Sequence, residues 1–295
     1  MVKNDIDVGF IIKKAVKSIV HDPGYILLYL LPILVYIIAM IHMWLIIGVD
    51  PLAVSQNIQN QSEFLNILRE KLPSMVVMGI VYGIVSIIVG TVAIAGLIKK
   101  VEVQETREKL DVSDALSFGL KIFPRLFAAM LIGILVIAGP FLAVFALLFF
   151  SMIHNIVGLV CLSSLLMFIL VIPVLYIAIR LSLYPQACTL DDLGPIDCLK
   201  RSWQISKGNV ILIFVTMLIL IIIYIAITIP FTILSYSGLP YVSSIGTIIV
   251  VAFFGPLYSI TLTLLYLKIS GKQKRTGTME SNLTDSSSDS FSSRV

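Results

Sequence analysis

Apolar residues in this chain fall in long runs rather than in alternation. Six windows, at about residues 25–48, 74–98, 126–150, 156–179, 209–235 and 242–267, each hold a predominantly apolar stretch of the length, about 20 residues, that an α-helix needs to cross a bilayer. No Asp, Glu, Lys or Arg occurs between residues 126 and 179, and none between 208 and 267. Each of these two stretches can cross twice, because polar or helix-breaking residues stand at its midpoint: Ser151-Met152-Ile153-His154-Asn155 in one, Ser235-Tyr236-Ser237-Gly238-Leu239-Pro240 in the other. The first window is too long for a cleaved signal, and no convincing small-x-small cleavage site follows it. The pattern predicts an all-α integral membrane protein with six transmembrane helices over residues 1–268. The polar, Ser-rich stretch 269–295 has too few apolar side chains to offset the entropy of ordering it, and is expected to be disordered.

Within the windows the interruptions are Pro and Gly. Pro32, Pro140, Pro173, Pro230 and Pro256 are candidate kinks; neighbouring helices can re-satisfy the carbonyls they free, so they either shape packing or act as hinges of a transport cycle. Gly79 and Gly83, with Gly90 and Gly96 beyond, make a small-xxx-small face in the second window, suited first to internal packing and second to dimerisation.

A short pattern recurs ahead of each pair of windows. Asp7-Val8-Gly9-Phe10 leads to Ala15-Val16-Lys17, Asp111-Val112-Ser113-Asp114 to Gly119-Leu120-Lys121, and Gly194-Pro195-Ile196-Asp197 to Ser202-Trp203-Gln204, at constant offsets of 104 and then 83 residues. Asp111 and Gly194 suit helix N-caps, and Pro195 suits a first helical position. Small residues align (Ala15, Gly119, Ser202), and so do large apolar ones (Val16, Leu120, Trp203). Val8, Ile12, Ala15 and Ile19 share one face of the first segment, and Ile196, Leu199 and Trp203 one face of the third. The segments therefore read as amphipathic helices at the membrane surface, or as lead-ins without lipid contact. The unit of interfacial helix, span, span is used three times, and the copies are parallel repeats because each starts and ends on the same side.

Composition agrees with a bilayer as solvent: 58% of the 295 residues are hydrophobic and 13% charged, against about 25% charged in a soluble domain. The net charge of +4 is small, but its placement is not random. Of 21 Lys and Arg, 19 lie at the termini and in the 99–125 and 180–207 segments, whereas the opposite loops hold only Arg69 and Lys71. That bias puts both termini in the cytoplasm of a cell membrane and a basic rim on the face where anionic lipids are expected. No nucleic-acid partner is expected, and no protein partner is specified. The outer loop at about 49–73 is the one sizeable piece on the other side, with a short helix expected near Leu65–Leu68. Cys161, Cys188 and Cys198 make no paired framework and read as small apolar residues.

The stretch Arg180-Leu-Ser-Leu-Tyr-Pro-Gln-Ala-Cys-Thr-Leu-Asp-Asp-Leu-Gly-Pro-Ile-Asp-Cys-Leu-Lys-Arg-Ser-Trp-Gln-Ile-Ser-Lys-Gly-Asn209 resembles the six-span membrane domain fused to glycerophosphoryl diester phosphodiesterases, and the related stand-alone YciC-like family. The positions that carry the resemblance are Arg180 at the end of the fourth span, Leu199, Ser202 and Trp203 in the helix after it, and Gly208 before the fifth span. The resemblance implies the six-span architecture over about residues 5–268 and brings no catalytic residue with it. The 295 residues leave no stretch for the fused barrel of about 250, so the phosphodiesterase activity is not carried over.

Searched for chemistry, the sequence offers no Gly-x-Ser-x-Gly elbow, Walker A loop, His-Glu-x-x-His or Cys-x-x-Cys pair. His21, His42 and His154 are scattered, and no charged residue falls within a predicted span, where proton relays and ion-coupled carriers place them. No catalytic residue, metal ligand or cofactor is expected. The reading that follows is a non-enzymatic membrane protein that binds lipid or a partner protein in membrane homeostasis. The alternatives are a transporter or channel for an uncharged or lipid-like substrate, and an enzyme of lipid metabolism.

Overall fold

The computed structural model describes residues 7–47, 61–106, 108–235 and 240–271. Among these every regular element is an α-helix: α1 Val8–His21, α2 Gly24–Ile47, α3 Gln61–Glu105, α4 Val112–Ile153, α5 Val157–Leu181, α6 Tyr184–Leu190, α7 Pro195–Ser206, α8 Val210–Ser235 and α9 Pro240–Ile269. The six long apolar helices α2, α3, α4, α5, α8 and α9 are each able to cross a membrane, and the chain is a multi-pass membrane protein. The helices run unbroken through Pro32, Pro140, Pro173, Pro230 and Pro256, and also through Pro73 and Pro124.

Local chemistry sets the ends. Asp7 caps α1, its Oδ1 accepting from the Phe10 N–H at 3.2 Å. Asp22, the residue before Pro23, takes an extended backbone and ends α1; its Oδ1 then accepts from Gly24 N–H at 2.8 Å as α2 begins. The turn expected at residues 151–155 lies between Ile153 and Val157, with Asn155 at φ 52°, a left-handed conformation that Asn tolerates. The other expected turn falls mostly on residues 236–239, outside the described residues, as do residues 49–60 of the outer loop and the Ser-rich tail beyond Gly271.

Two expectations need correction. The second half of the expected outer loop is helical: α3 starts at Gln61 and is 45 residues long, continuous with the second span. Residues 61–72 contain no Gly or Pro, and a single Pro73 removes one backbone bond without ending the helix. The pre-span segments also differ among themselves. The first and third are separate helices, α1 and α7, but the second is the start of the 42-residue α4. The chain turns after α1 at Asp22-Pro23-Gly24 and after α7 at Gly208, whose φ is +86°; Lys121-Ile122-Phe123-Pro124 supplies no such turn. The aligned positions nonetheless have matching environments. Ala15, Gly119 and Ser202 are all buried, whereas Val16, Leu120 and Trp203 are 45%, 61% and 37% exposed.

The described helices gather into two compact units. The first comprises Met1–Lys100, Leu110–Phe123 and Met217–Thr261. In it α3 and α4 touch backbone to backbone: a Cβ on Gly96 would lie 2.6 Å from the Ala115 carbonyl oxygen, and one on Gly119 would collide with the Val92 carbonyl. Gly79, Gly83 and Gly90 have no atom within 4 Å of such a Cβ, so the internal packing expected of the small-residue face is found at Gly96 alone. Lys100, nearly buried, pairs with Asp22 at 2.9 Å and donates to the Leu110 carbonyl at 2.9 Å. His42 Nδ1 lies 2.8 Å from the Tyr82 hydroxyl, so it is partnered rather than isolated.

The second unit comprises Val101–Lys109, Pro124–Thr216 and Leu262–Val295. It holds the α4–α5 hairpin, the corner α5–α6–α7 and the end of α9.

Candidate functional site

Five residues singled out in the sequence, Arg180, Leu199, Ser202, Trp203 and Gly208, meet at the corner where α5 hands over to α6 and α7. α5 ends at Leu181, and Pro185 in the first turn of α6 starts the next helix after a two-residue break. Gly194 is the N-cap of α7 and Pro195 its first residue, as the pattern predicts. Gly208 takes the positive φ that lets the chain leave α7 and enter α8.

Arg180 is 7% exposed. Its Nη2 donates to the Trp203 carbonyl at 2.6 Å, its Nη1 to the Tyr176 hydroxyl at 3.2 Å and its Nε to Ser206 Oγ at 3.4 Å. The guanidinium stacks 3.8 Å from the Trp203 ring centroid, a cation–π contact. In return Ser202 Oγ donates to the Arg180 carbonyl at 2.8 Å. The cation thus caps the last turn of α7, where unpaired carbonyls carry partial negative charge. Among the described residues no carboxylate pairs with it. Leu199 faces Gly133 of α4, where an added Cβ would make ordinary contact at 3.7 Å.

The predicted apolar face of α7 divides. Leu199 is buried, together with Cys198, Ser202, Ile205 and Ser206, while Ile196 and Trp203 point outward. On α1 the buried residues are Ile11, Ala15 and Ile19, so Ile11 rather than Ile12 leads that face.

A second cluster lies at the other end of α7. Asp191 Oδ2 accepts from Arg201 Nε at 2.9 Å and from the Tyr266 hydroxyl at 2.6 Å, and that hydrogen bond to the carboxylate raises the Arg201 pKa above its ordinary value. Arg125 Nη1 pairs with Asp192 at 2.6 Å, and its Nη2 donates to the Cys188 carbonyl at 2.9 Å. Cys188 and Cys198 are joined by a disulfide with Cα atoms 5.0 Å apart. This overturns their reading as unpaired apolar fillers. The turn between α6 and α7 folds two positions ten residues apart onto each other, whereas Cys161 is free. The Asp-Asp-Leu-Gly-Pro turn between two short helices was the available signal for this pairing; nothing local to Tyr266 marked it as a partner of Asp191.

In the first unit, a crevice of about 220 Å³ lies between α2, α3 and α9, walled by Tyr29, Pro32, Ile33, Tyr36, Ser86 and Thr247. Tyr29 fits against α9 because residue 255 is Gly: a Cβ there would enter the Tyr29 ring. Its hydroxyl lies 3.3 Å from Ser259 Oγ.

Chemically, these arrangements tie and balance rather than expose. The Asp191 carboxylate is neutralised by Arg201, and among the described residues no three His, Cys, Asp or Glu are placed to hold a metal ion. No curated protein and no solved structure matches the chain. One family does match, over residues 115–267, which takes in most of α4 and all of the α5–α7 corner. With just over half of its length matched, the chain belongs to the family described as a domain of unknown function, DUF7847.

Proposed function

We propose that the protein is a non-enzymatic component of the cell membrane, with both termini in the cytoplasm, that holds anionic lipid headgroups at its cytoplasmic face through the α5–α7 corner. One observation carries this reading. The buried guanidinium of Arg180 is met by one carbonyl, two hydroxyls and an aromatic face, and by no carboxylate among the described residues. The corner therefore keeps a positive charge beside two exposed aromatic side chains, Tyr176 and Trp203, the residue types that sit at the headgroup level of a bilayer. Lys207, exposed at the end of α7, adds to it. The resemblance to phosphodiesterase-linked membrane domains supports a role without catalysis.

The test is native mass spectrometry of the detergent-purified protein offered phosphatidylglycerol and phosphatidylcholine in equal amounts. Wild type retains the anionic lipid preferentially; Arg180→Gln and Lys207→Gln lose that preference while keeping their helical circular dichroism. Equal retention of both lipids by wild type refutes the reading.

The crevice in the first unit favours a second reading, a transporter for a lipid-like substrate, because nearly all of its wall is apolar. Flux of a fluorescent lipid across proteoliposomes, lost on filling the crevice with Ser86→Phe, would decide for it.

A further inference from the structure

We propose that Cys188 and Cys198 are a redox-active pair, a site of reversible thiol oxidation that stiffens or releases the α6–α7 hairpin. The inference rests on the orientation proposed above. The segment 180–207 carries Arg180, Lys200, Arg201 and Lys207 and belongs to the basic side of the chain, which the charge rule assigns to the cytoplasm. The structure closes a disulfide in that same segment. In a reducing compartment a disulfide is characteristically transient, catalytic or redox-sensing rather than a permanent staple.

The geometry provides for both oxidation states. With the bond closed, α6 and α7 are tied covalently through two buried sulfurs. With it open, the hairpin still has its non-covalent tie. Asp191, which ends α6, holds Arg201 of α7 at 2.9 Å and the Tyr266 hydroxyl at 2.6 Å, and Arg125 continues to hold the Cys188 carbonyl. The thiol released at Cys198 also finds an acceptor, the Leu193 carbonyl oxygen 3.4 Å from its sulfur. The hairpin is therefore not held by the disulfide bond alone. Its effect falls on the rigidity of α7, whose far end carries the Arg180 and Trp203 contacts.

The co-reactant is a dithiol. One of its thiolates attacks a sulfur of the pair and displaces the other as a thiolate, giving a mixed disulfide. The second thiol of the reductant then attacks that bond and leaves as part of a disulfide. Two protons end on Cys188 and Cys198, and two electrons pass from the dithiol to the pair. Oxidation by a disulfide is the reverse. Access is through the turn at Asp191 to Gly194, whose Asp192 and Gly194 are exposed, so exchange requires that turn to open.

The experiment uses the full chain in its own membrane, with Cys161→Ser to leave two cysteines. Cells are quenched in acid, and free thiols are counted by the gel shift of a polyethylene-glycol maleimide. The expected result is two tags under dithiothreitol, none after diamide, and return to two when the oxidant is removed. A bond that resists dithiothreitol in the folded protein, or thiols that diamide never closes, overturns the proposal. An alkaline phosphatase reporter at Gly271 separates the causes: an active reporter with a permanently closed bond shows that the orientation was wrong. An inactive one with an unresponsive bond shows that the pair is inert. Thermal unfolding in detergent supplies the second readout. The reduced protein should melt several degrees lower yet remain cooperatively folded, and Asp191→Asn should lower the reduced form more than the oxidised one. Loss of the folded state on reduction of the wild type would make the disulfide a structural staple and end the proposal.

Discussion

α3 holds glycines of two kinds, and a single methyl group tells them apart. At Gly96 the space for a Cβ is already taken by the Ala115 carbonyl, and opposite it Gly119 is blocked by the Val92 carbonyl; backbone cannot step aside as a flexible side chain can. Gly96→Ala and Gly119→Ala should each cost about 1–3 kcal/mol through overpacking. Gly79→Ala, with open space around it, should be neutral or stabilise by up to about 1 kcal/mol through helix propensity. Thermal melting in one detergent checks all three. The sequence pattern groups these glycines, but at about 100° per residue Gly79, Gly83 and Gly90 share a face of α3 and Gly96 lies about 100° from it. The Asp191 cluster makes a second case. Tyr266→Phe removes a hydroxyl bonded to a buried carboxylate and should cost about 1.5–3 kcal/mol. The same loss should be much smaller in an Asp191→Asn background, a coupling that a double-mutant cycle measures. No pattern in the sequence announced this contact, which joins residues 75 positions apart.

Elements were legible where their ends are written in local chemistry. Gly194-Pro195 opens α7 and Gly208 closes it, and both could be read in advance. The inward face of α7 was read only at Leu199, because Cys198, Ser202 and Ser206 complete it beside Ile205 and an apolar count passes over the serines. Labels on α7 provide the check. Nitroxides at Ile196 and Trp203 should be mobile and accessible to lipid-soluble oxygen, whereas those at Ser202 and Ile205 should be immobilised. Uniform accessibility from 196 to 206 would mean that the helix does not dock as described. The three pre-span segments agree only in part. The buried small residue and the exposed large one recur in all three pre-span segments, but the second segment has lost the break that makes the first and third separate helices. A turn needs residues that enforce it, and here Pro124 stands without the Gly that follows Pro23 in the first segment or ends the third at Gly208.

For the whole molecule, the number of spans follows from apolar run length alone, and charge placement predicts an orientation that a reporter can test. Alkaline phosphatase fused at Gly271 should be inactive, and fused after Gln61 it should be active; the opposite outcome reverses the topology. Function was least legible, because among the residues that carry the resemblance Arg180, Ser202 and Trp203 bind one another, Leu199 faces Gly133 and Gly208 shapes the chain. A sequence pattern does not distinguish residues that meet each other from residues that meet a ligand.

The uncharged spans have an electrical consequence. From 126 to 179 and from 208 to 267 the chain holds no Asp, Glu, Lys or Arg, and α8 has none along its whole length. A membrane potential of 100 mV does work of about 2.3 kcal/mol on each elementary charge that crosses the field, and these helices offer it no charged side chain to act on. Rearrangements among them therefore carry no side-chain charge through the field, which leaves only the partial charges of the helix ends to respond. Any current measured with this protein in a bilayer would be carried by whatever passes through it, and any dependence of its turnover on voltage would report the charge of the cargo.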